Sequence, residues 1–452
     1  MHQQPTLLCV SVALLFALPV WAESSRGSRA ALPLRVSDTG RFLVDQKGSP
    51  FLVVGDTPWS LIVQLGEEDI EHYLADRQQK GFNSIIANLI EHKFCSDPPN
   101  TRAGLAPFEP PGDLSAPNPR YFDFAHDVVK RAGDRGIVVW LAPAYLGAGG
   151  GGEGWFQEMK ASGPQALRDY GRFVGQRFRD LPNIVWVLGG DYAPAAADRW
   201  TVAEVAEGIR EADPEHLLTA HASRRQSAAP AFGDPTWLDV NTSYTDEANL
   251  YRLLAEDYHR RPLRPFVLIE AIYEGEHNAA PELIRRQAYV AMLSGACGQF
   301  FGNNPIWHFD GPGLYPSKTT WQEALDEQGS WDMSRVRELF ARRAWHRLVP
   351  DAEHKVVTDS HGQDLATIVT ARTPDAKLAL AYVPSAARDS RSLTVNLGQF
   401  ARPVRARWYD PTNARFTAVG DKPMPNRGPV VLRVPGENGT GASDWVLVLE
   451  AK

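Results

Sequence analysis

The run NIVWVLGGD, residues 183–191, is an apolar segment that ends on the carboxylate of Asp191. A second run of the same form, PFVLIEAIYE at residues 265–274, carries Glu270 and Glu274. Short and continuously apolar runs are typical of strands covered on both faces of a parallel sheet. A carboxylate that follows such a strand lies at the sheet edge, where a cleft can form. Two carboxylates from different strands therefore predict a paired-carboxylate site, which is the equipment for cleaving a glycosidic bond.

Further apolar runs extend this pattern along the chain. Together with the two quoted runs they make eight candidate strands, the others being FLVVGD (51–56), NSIIANLI (83–90), IVVWLAPA (137–144), HLLTAH (216–221), WLDVNTSY (237–244) and GQFFGN (298–303). Helical patterns lie between them, at 67–81, 122–136, 164–178 and 281–295. Eight strands alternating with helices predict an α/β fold of the (β/α)8 TIM-barrel type. An open doubly wound sheet is the alternative.

The apolar period changes to two near residue 350. Runs such as KLALAYVPS and DWVLVLEA then follow one another with Pro, Gly and Asp turns at short spacing, which predicts a small antiparallel β-sandwich. We therefore expect a signal peptide at 1–22, a barrel domain with an N-terminal hairpin at 23–349, and a β-sandwich domain at 350–452.

The N-terminal segment reads as a targeting signal. LLCVSVALLFALPVWA, residues 7–22, is an apolar run with a small-x-small end, typical of a signal peptide cut after Ala22. The mature protein is then expected to be exported, either periplasmic or secreted, with no membrane span. Cys95 and Cys297 would remain, as one disulfide or, in the favoured interpretation, as two unpaired buried thiols.

Composition narrows the class of partner. The net charge of −7 and the pI of about 6.0 leave no basic footprint for nucleic acid. The 13 Trp, 13 Tyr and 19 Phe offer flat faces that suit sugar rings, although much of this content can be core. An oligosaccharide or polysaccharide is the expected partner.

Several other chemistries find no motif. The chain has no H-E-x-x-H, no Cys/His cluster, no G-x-S-x-G and no P-loop sequence, so neither a metal site nor a cofactor is predicted. The glycine run at 147–154 matches a dinucleotide fingerprint, but the acid at the required distance, Asp169, lies inside a helical stretch. We interpret the run as a loop that borders the cleft, with Trp155 as a sugar platform or a loop anchor.

Catalytic groups of a barrel follow the carboxyl ends of its strands. The polar residues at these ends are Asp56, Asn88, Asp191, His221, Tyr244, Glu270 and Asn303, with Trp307 just beyond. Each also has a structural interpretation. Asp56 can cap a helix, Glu270 can form a buried salt bridge, and His221 can be a core histidine. Gly189 and Gly190 favour a functional Asp191, because two glycines suggest a close approach of the backbone to another group.

Five motifs together resemble a known family. They are VVGDTPWSL (53–61), GFNSIIANL (81–89), NIVWVLGGDY (183–192), EAIYEG (270–275) and GNNPIWHF (302–309), and they resemble the apiosidase-like glycoside hydrolases, glycoside hydrolase family 140 and its relatives. The similarity covers roughly residues 32–345. RARWYDPTNARF, at 405–416, resembles the β-sandwich that follows in the same family and carries a collagen-binding label.

The resemblance implies a barrel enzyme that acts from the chain end and releases a branched sugar, apiose or a similar furanose or pentose, from plant pectin side chains. It implies Asp191 as acid/base and Glu270 as nucleophile, with Glu274 as a rival nucleophile. From this pair of roles we expect a retaining mechanism. The expected substrate-binding residues are Asp56, Trp59, Asn88, His221, Tyr244, Tyr273, Glu274, Asn303 and Trp307. A different exo-glycosidase, such as an arabinofuranosidase, and a non-catalytic glycan-binding protein are the alternatives.

Overall fold

The computed structural model describes residues 29–246, 248–359, 362, 364–387 and 391–451. The expected signal peptide, 1–22, lies outside these ranges. The described chain starts with three short antiparallel strands, β1 (Arg35–Val36), β2 (Leu43–Val44) and β3 (Pro50–Phe51). No helix among the described residues is both long and apolar enough to cross a membrane.

Eight parallel strands follow and form a barrel, as predicted. They are β4 (Val53–Asp56), β5 (Ser84–Asn88), β6 (Val138–Ala142), β7 (Ile184–Gly189), β8 (Leu217–His221), β10 (Asn241–Tyr244), β11 (Phe266–Glu270) and β12 (Gly298–Phe301). The short strand β9 (Gln226–Ser227) pairs antiparallel with β10. The ladder runs β8-β7-β6-β5-β4-β12-β11-β10-β9, and the parallel pair β12–β4 joins the last barrel strand to the first. That pairing rules out the open doubly wound sheet.

The remaining seam of the barrel lies between β8 and β10. Threonine side chains and backbone amides close it instead of a regular ladder. Asp239 N–H donates to the Leu218 carbonyl (2.9 Å), and Thr219 Oγ1 donates to the Val240 carbonyl (2.7 Å). Both faces of the strands are buried, which explains why their sequences are continuously apolar.

Helices surround the barrel between the strands. They are α1 (Leu61–Gln64), α2 (Glu67–Gln79), α3 (Pro119–Asp134), α4 (Phe156–Phe178), α5 (Trp200–Ala212), α6 (Ala228–Phe232), α7 (Leu250–His259), α8 (Pro281–Leu293), α9 (Trp321–Ala324) and α10 (Gln328–Ala341). Cys95 and Cys297 are both buried and free, in agreement with the favoured interpretation of two unpaired thiols.

The C-terminal part is an antiparallel β-sandwich, also as predicted. Its strands are β13 (Val349–Pro350), β14 (Val369–Arg372), β15 (Leu378–Val383), β16 (Ser392–Asn396), β17 (Val404–Tyr409), β18 (Phe416–Ala418), β19 (Pro429–Arg433) and β20 (Trp445–Ala451). Six strands form one sheet in the order β13-β14-β15-β20-β17-β18, and β16 pairs with β19 in the second.

Alternation along β15 and β20 explains how this domain attaches to the barrel. Ala379 and Leu447 point into the core of the sandwich, whereas Leu380, Tyr382 and Val448 belong to the same apolar cluster as the barrel helices. Both faces of these strands are therefore buried, and the two domains share one continuous core.

A buried ion cluster joins the domains beside this core. Arg285 on α8 donates to both carboxylate oxygens of Asp444 (2.9 and 2.7 Å) and to Asp332 on α10 (3.0 Å), and all three side chains are fully buried. Tyr289 on α8 stacks on Tyr382 with ring centroids 5.1 Å apart. A buried charge that loses its partners is strongly destabilising, so these contacts fix the sandwich to the barrel.

Candidate active site

A pocket opens at the carboxyl ends of the barrel strands. It encloses about 130 Å³, close to the roughly 150 Å³ that holds one benzene ring in an engineered cavity. Its walls combine aromatic rings with three carboxylates, one arginine and one histidine. The lining residues are Trp59, Asn88, Phe94, Tyr145, Asp191, Arg224, Tyr244, Glu270, Ala271, Ile272, Tyr273, Glu276, His277, Trp307, Leu314 and Tyr315.

The turn after β7 brings Asp191 into this pocket. Gly189 and Gly190 have φ angles of +84° and +121°, and Asp191 itself has φ of +50°. A Cβ at position 190 would lie 2.4 Å from the ring of Tyr145, and one at 189 would lie 2.5 Å from the His221 carbonyl oxygen. The two glycines therefore serve the close approach that the sequence suggested, because only glycine fits both the backbone angles and the space.

Asp191 lies in an environment that favours its protonated form. Its Oδ2 accepts a hydrogen bond from Tyr145 O–H (2.8 Å), while its Oδ1 is buried without a hydrogen-bond partner among the described residues. Burial raises the pKa of Asp191 to about 6, and the nearby charge of Glu270 adds to this effect. A carboxyl group with a pKa in this range can donate a proton near neutral pH.

His221 connects the two predicted catalytic residues. The backbone N–H of Asp191 donates to His221 Nδ1 (3.1 Å), so the proton of the neutral ring is on Nε2. Nε2–H then donates to Glu270 Oε2 at 2.6 Å. The imidazole thus orients the Glu270 carboxylate relative to the Asp191 turn, and its role is to position Glu270.

One ligand atom each of Asp191, His221 and Glu270 lies within 4.8 Å of the other two. By distance alone these three side chains could hold a metal ion. Both ring nitrogens of His221, however, are already hydrogen-bonded to the protein. The arrangement therefore fits two carboxylates held a fixed distance apart, with Asp191 at the end of β7 and Glu270 at the end of β11.

Aromatic side chains form the walls around this pair. Trp59 Nε1 donates to the Tyr273 hydroxyl (2.8 Å), and the ring of Trp307 packs edge-on against Phe94 (5.1 Å between centroids). The ring of Tyr244 lies 5.1 Å from that of His221. Of the predicted substrate-binding residues, Trp59, Asn88, Tyr244, Tyr273 and Trp307 line the pocket. Flat faces of this kind suit the apolar side of a sugar ring.

Four predicted substrate-binding residues lie outside the pocket lining: Asp56, Glu274, Asn303 and His221, which instead bonds to Glu270. Asp56 is fully buried, accepts a hydrogen bond from Tyr73 O–H (2.7 Å) and pairs with Arg77 (3.2 Å), so it anchors α2 to the barrel. Glu274 accepts from Gly329 N–H (2.8 Å) and from Asn303 Nδ2 (3.1 Å). These contacts hold Glu274 and Asn303 between β11, β12 and α10, away from Asp191.

Sequence reasoning missed several residues of the site. Tyr145, Arg224, Glu276, His277 and Tyr315 all line the pocket from loops. Loop residues carry no periodic signal, because their position depends on tertiary contacts. Tyr145 alone had a usable signal, since it directly follows the third apolar run of the barrel.

Trp155, which was considered as a sugar platform, is instead a loop anchor. It is buried and packs against His92 and Phe108, with ring centroids 4.8 and 5.7 Å away. The glycine run that precedes it contains a short 3₁₀ turn, Ala148–Gly150.

Comparison with models of known protein families assigns both parts of the chain to a family. Residues 37–347 match the model of the family described as "Apiosidase-like, catalytic domain", and residues 349–450 match "Putative collagen-binding domain of a collagenase". The first match covers more than half of the chain. This chain therefore belongs to the apiosidase-like family and is a glycoside hydrolase. No curated protein sequence matches it.

Solved structures share the fold over nearly the whole chain. A glycoside hydrolase family 5 structure from Bacteroides vulgatus superposes with a TM-score of 0.80 at 22% identity, covering 92% of this chain and 93% of that one. A second structure, described as a glycoside hydrolase, gives a TM-score of 0.80 at 22% identity over 93% of this chain and 97% of its own. At this identity the likeness concerns the fold.

Proposed function

We propose that this enzyme removes one terminal sugar, apiose or a similar furanose or pentose, from pectic oligosaccharides, with Asp191 as acid/base and Glu270 as nucleophile. The observation that carries the proposal is the pair of carboxyl oxygens within 4.8 Å of each other, at the ends of β7 and β11 in an aromatic pocket. Retaining glycosidases hold their two carboxyl groups about 5–5.5 Å apart, whereas inverting enzymes need about 6.5–9.5 Å. The short separation supports retention.

In the first step Glu270 attacks the anomeric carbon and forms a glycosyl ester, while Asp191 transfers its proton to the departing glycosidic oxygen. In the second step Asp191, now a carboxylate, accepts a proton from water, and the water oxygen displaces Glu270 from the sugar. The net reaction adds one water across the glycosidic bond and returns both carboxyl groups to their starting states.

The surroundings of the two residues suit these different roles. Asp191 has a raised pKa and an unpaired Oδ1, as an acid requires before it meets the leaving oxygen. Glu270 accepts the Nε2–H of His221, which stabilises negative charge on a nucleophile. Trp59, Tyr244 and Trp307 are then the surfaces against which the sugar ring packs.

The size of the pocket supports removal of a single sugar. A pocket volume of about 130 Å³ is of the size of one sugar ring. The choice of apiose and pectin rests on membership of the apiosidase-like family. Export, to the periplasm or the medium, rests on the apolar segment 7–22.

A panel of 4-nitrophenyl glycosides, including the apiofuranoside and the arabinofuranoside, together with pectic oligosaccharides, tests this function. We expect Asp191→Asn and Glu270→Gln to lower kcat by about 10²–10⁴-fold or more on the natural linkage. Glu274→Gln is the matched control, because Glu274 also follows β11 but lies outside the pocket lining, and it should retain activity. In NMR spectra, the first product released should have the same anomeric configuration as the substrate.

The outcomes separate the alternatives. Cleavage of the arabinofuranoside alone would assign the enzyme to a different sugar. Wild-type rates in both Asp191→Asn and Glu270→Gln would overturn the catalytic assignment, and a first product of inverted configuration would overturn the retaining mechanism.

A further inference from the structure

The loop after β11 brings a third carboxylate into the pocket. Gly275 has φ of +83°, and a Cβ there would lie 2.6 Å from the Asn304 carbonyl oxygen. This glycine turn separates two acids that are only two residues apart. Glu274 is held against Gly329, whereas Glu276 lines the pocket with Asp191 and Glu270.

Glu276 is held by one contact and has acceptor capacity to spare. Trp307 Nε1 donates to Glu276 Oε1 at 3.1 Å, which fixes the carboxylate beside an aromatic wall. Burial raises the pKa of Glu276 to about 7, and the charge of Glu270 contributes in the same direction. A carboxylate has about four acceptor positions, so this single bond leaves most of them for a ligand.

A second, independent acceptor lies in the same pocket. Asn88 is 3% exposed, and its Nδ2 donates to Glu91 Oε2 (2.8 Å). Glu91 Oε1 in turn accepts the backbone N–H groups of residues 92–94 (2.9 to 3.1 Å), which fixes the orientation of the amide. Asn88 Oδ1 is left without a hydrogen-bond partner among the described residues. A buried acceptor in this state calls for a donor from a ligand.

Three hydrogen-bond donors of the pocket walls are already bonded to the protein. These bonds are Trp59 Nε1 to Tyr273, Trp307 Nε1 to Glu276, and Tyr145 O–H to Asp191. Of the charged groups that line the pocket, three are carboxylates and one is the arginine Arg224, whose side chain is 46% exposed. The pocket therefore suits a ligand that is rich in donors and carries no negative charge.

We propose that Glu276, supported by Asn88 Oδ1, is a specificity-determining residue that accepts hydrogen bonds from hydroxyl groups of the terminal sugar and rejects terminal sugars bearing a carboxylate. The inference rests on the proposed function and refines it. A site built to bond a hydroxyl discriminates strongly against an analogue that lacks it, because the acceptor is then left unpaired. A uronic acid would add a carboxylate to a pocket that already holds the three carboxyl groups of Asp191, Glu270 and Glu276.

Glu276→Gln tests this role without removing the wall contact, because glutamine Oε1 can still accept from Trp307. On the neutral 4-nitrophenyl glycoside that the wild type cleaves, we expect kcat/KM to fall about 10- to 100-fold, mainly through KM, because glutamine replaces one acceptor oxygen by an NH₂ group and leaves a sugar hydroxyl unpaired. Tm should be unchanged. Glu256→Gln, an exposed carboxylate on α7 outside the pocket lining, is the matched control and should behave as the wild type.

Monodeoxy versions of the same glycoside distinguish recognition from a structural role. On the analogue that lacks the hydroxyl bound by Glu276, the difference between Glu276→Gln and wild type should disappear. The wild type should also leave 4-nitrophenyl glucuronide and galacturonide intact.

Contrary results fall into two separable groups. A wild-type KM for Glu276→Gln, or efficient cleavage of a uronide, would overturn this inference alone, provided that Asp191→Asn and Glu270→Gln are inactive. Activity in those two variants would overturn the proposed function itself.

Discussion

At the scale of single residues, the phenol of Tyr145 acts on the pKa of Asp191, the proposed acid. Tyr145 O–H donates to Asp191 Oδ2, and a donated hydrogen bond favours the ionised form of a carboxyl group. Burial and Glu270 act in the opposite direction and raise the pKa of Asp191 to about 6. Since the protonated form is the acid, kcat/KM should fall as the pH rises through about 6.

Tyr145→Phe should move this alkaline limb to higher pH. Loss of the hydrogen bond removes a stabilisation of the Asp191 carboxylate, so the pKa rises further and the protonated acid persists to higher pH. We expect a shift of about one pH unit or less, measured from the pH profile of kcat/KM. Tyr170→Phe is the control, because it deletes a buried phenol that donates to the Pro143 carbonyl. A limb that stays in place or moves to lower pH would contradict the tuning role.

The residues of the site differ in how well their positions could be predicted from the sequence. The place of Asp191 and Glu270 in one pocket was predictable, because each ends an apolar run and strand ends meet at one face of a barrel. Asp56 also ends an apolar strand, but its carboxylate forms a buried ion pair with Arg77 on α2. The sequence does not show that the two residues are close, because they meet only in the folded structure. Glu276 could not be found, since the turn at Gly275 that brings it into the pocket depends on contact with Asn304.

At the scale of elements, the turn that follows β7 sets the position of Asp191, the proposed acid. It contains three successive residues with positive φ, at positions 189–191, and its middle residue contacts the ring of Tyr145. Strain of this kind persists only where surrounding contacts enforce it. Here the enforcing contacts are Gly190 N–H to the His221 carbonyl (2.9 Å) and Asp191 N–H to His221 Nδ1.

Gly190→Ala should therefore damage catalysis more than folding. The added methyl group would displace Tyr145 or the turn, and a shift of about 1 Å at a reacting group can cost about 10²-fold in rate. We expect a loss of that order in kcat, with a destabilisation of about 1–3 kcal/mol measured by urea unfolding. Gly152→Ala is the control, because its Cβ would meet nothing within 4 Å. Equal kcat values for the two variants would show that the close approach at Gly190 is not required.

At the scale of the whole molecule, the fold class could be predicted from the sequence, but the interface between the barrel and the sandwich could not. A period of two identified the strands of the sandwich, and continuous apolar runs identified those of the barrel. KLALAYVPS, however, alternates between two apolar faces, and sequence alone cannot say that one of them packs on barrel helix α8. The ion cluster of Arg285 was hidden for the same reason, since its partners are Asp332 and Asp444.

Arg285→Ala should destabilise the protein as a unit. Removal of the guanidinium takes the buried cation away from Asp444 and leaves Asp332 paired with Arg335 only. Breaking a buried ion pair by removing one partner typically costs about 3–5 kcal/mol. We expect a single urea unfolding transition, in which barrel and sandwich unfold together at a lower urea concentration than in the wild type. Tryptophan fluorescence and enzymatic activity both monitor this transition. Arg252→Ala, whose partner Glu256 is on the surface, should change stability by less than about 1 kcal/mol. Two separate transitions would show that the domains unfold independently.

Arg285 and Asp444 lie far apart in the sequence, so the ribosome makes them at different times. Asp444 is made 159 residues after Arg285. At about 5–20 residues per second, roughly 10–30 s of translation separate the two. During that interval Arg285 lacks Asp444 as a partner, and the apolar face of α8 lacks the sandwich strands that cover it. The buried ion cluster and the core shared by the two domains are therefore complete only after Asp444 and strand β20 have been made.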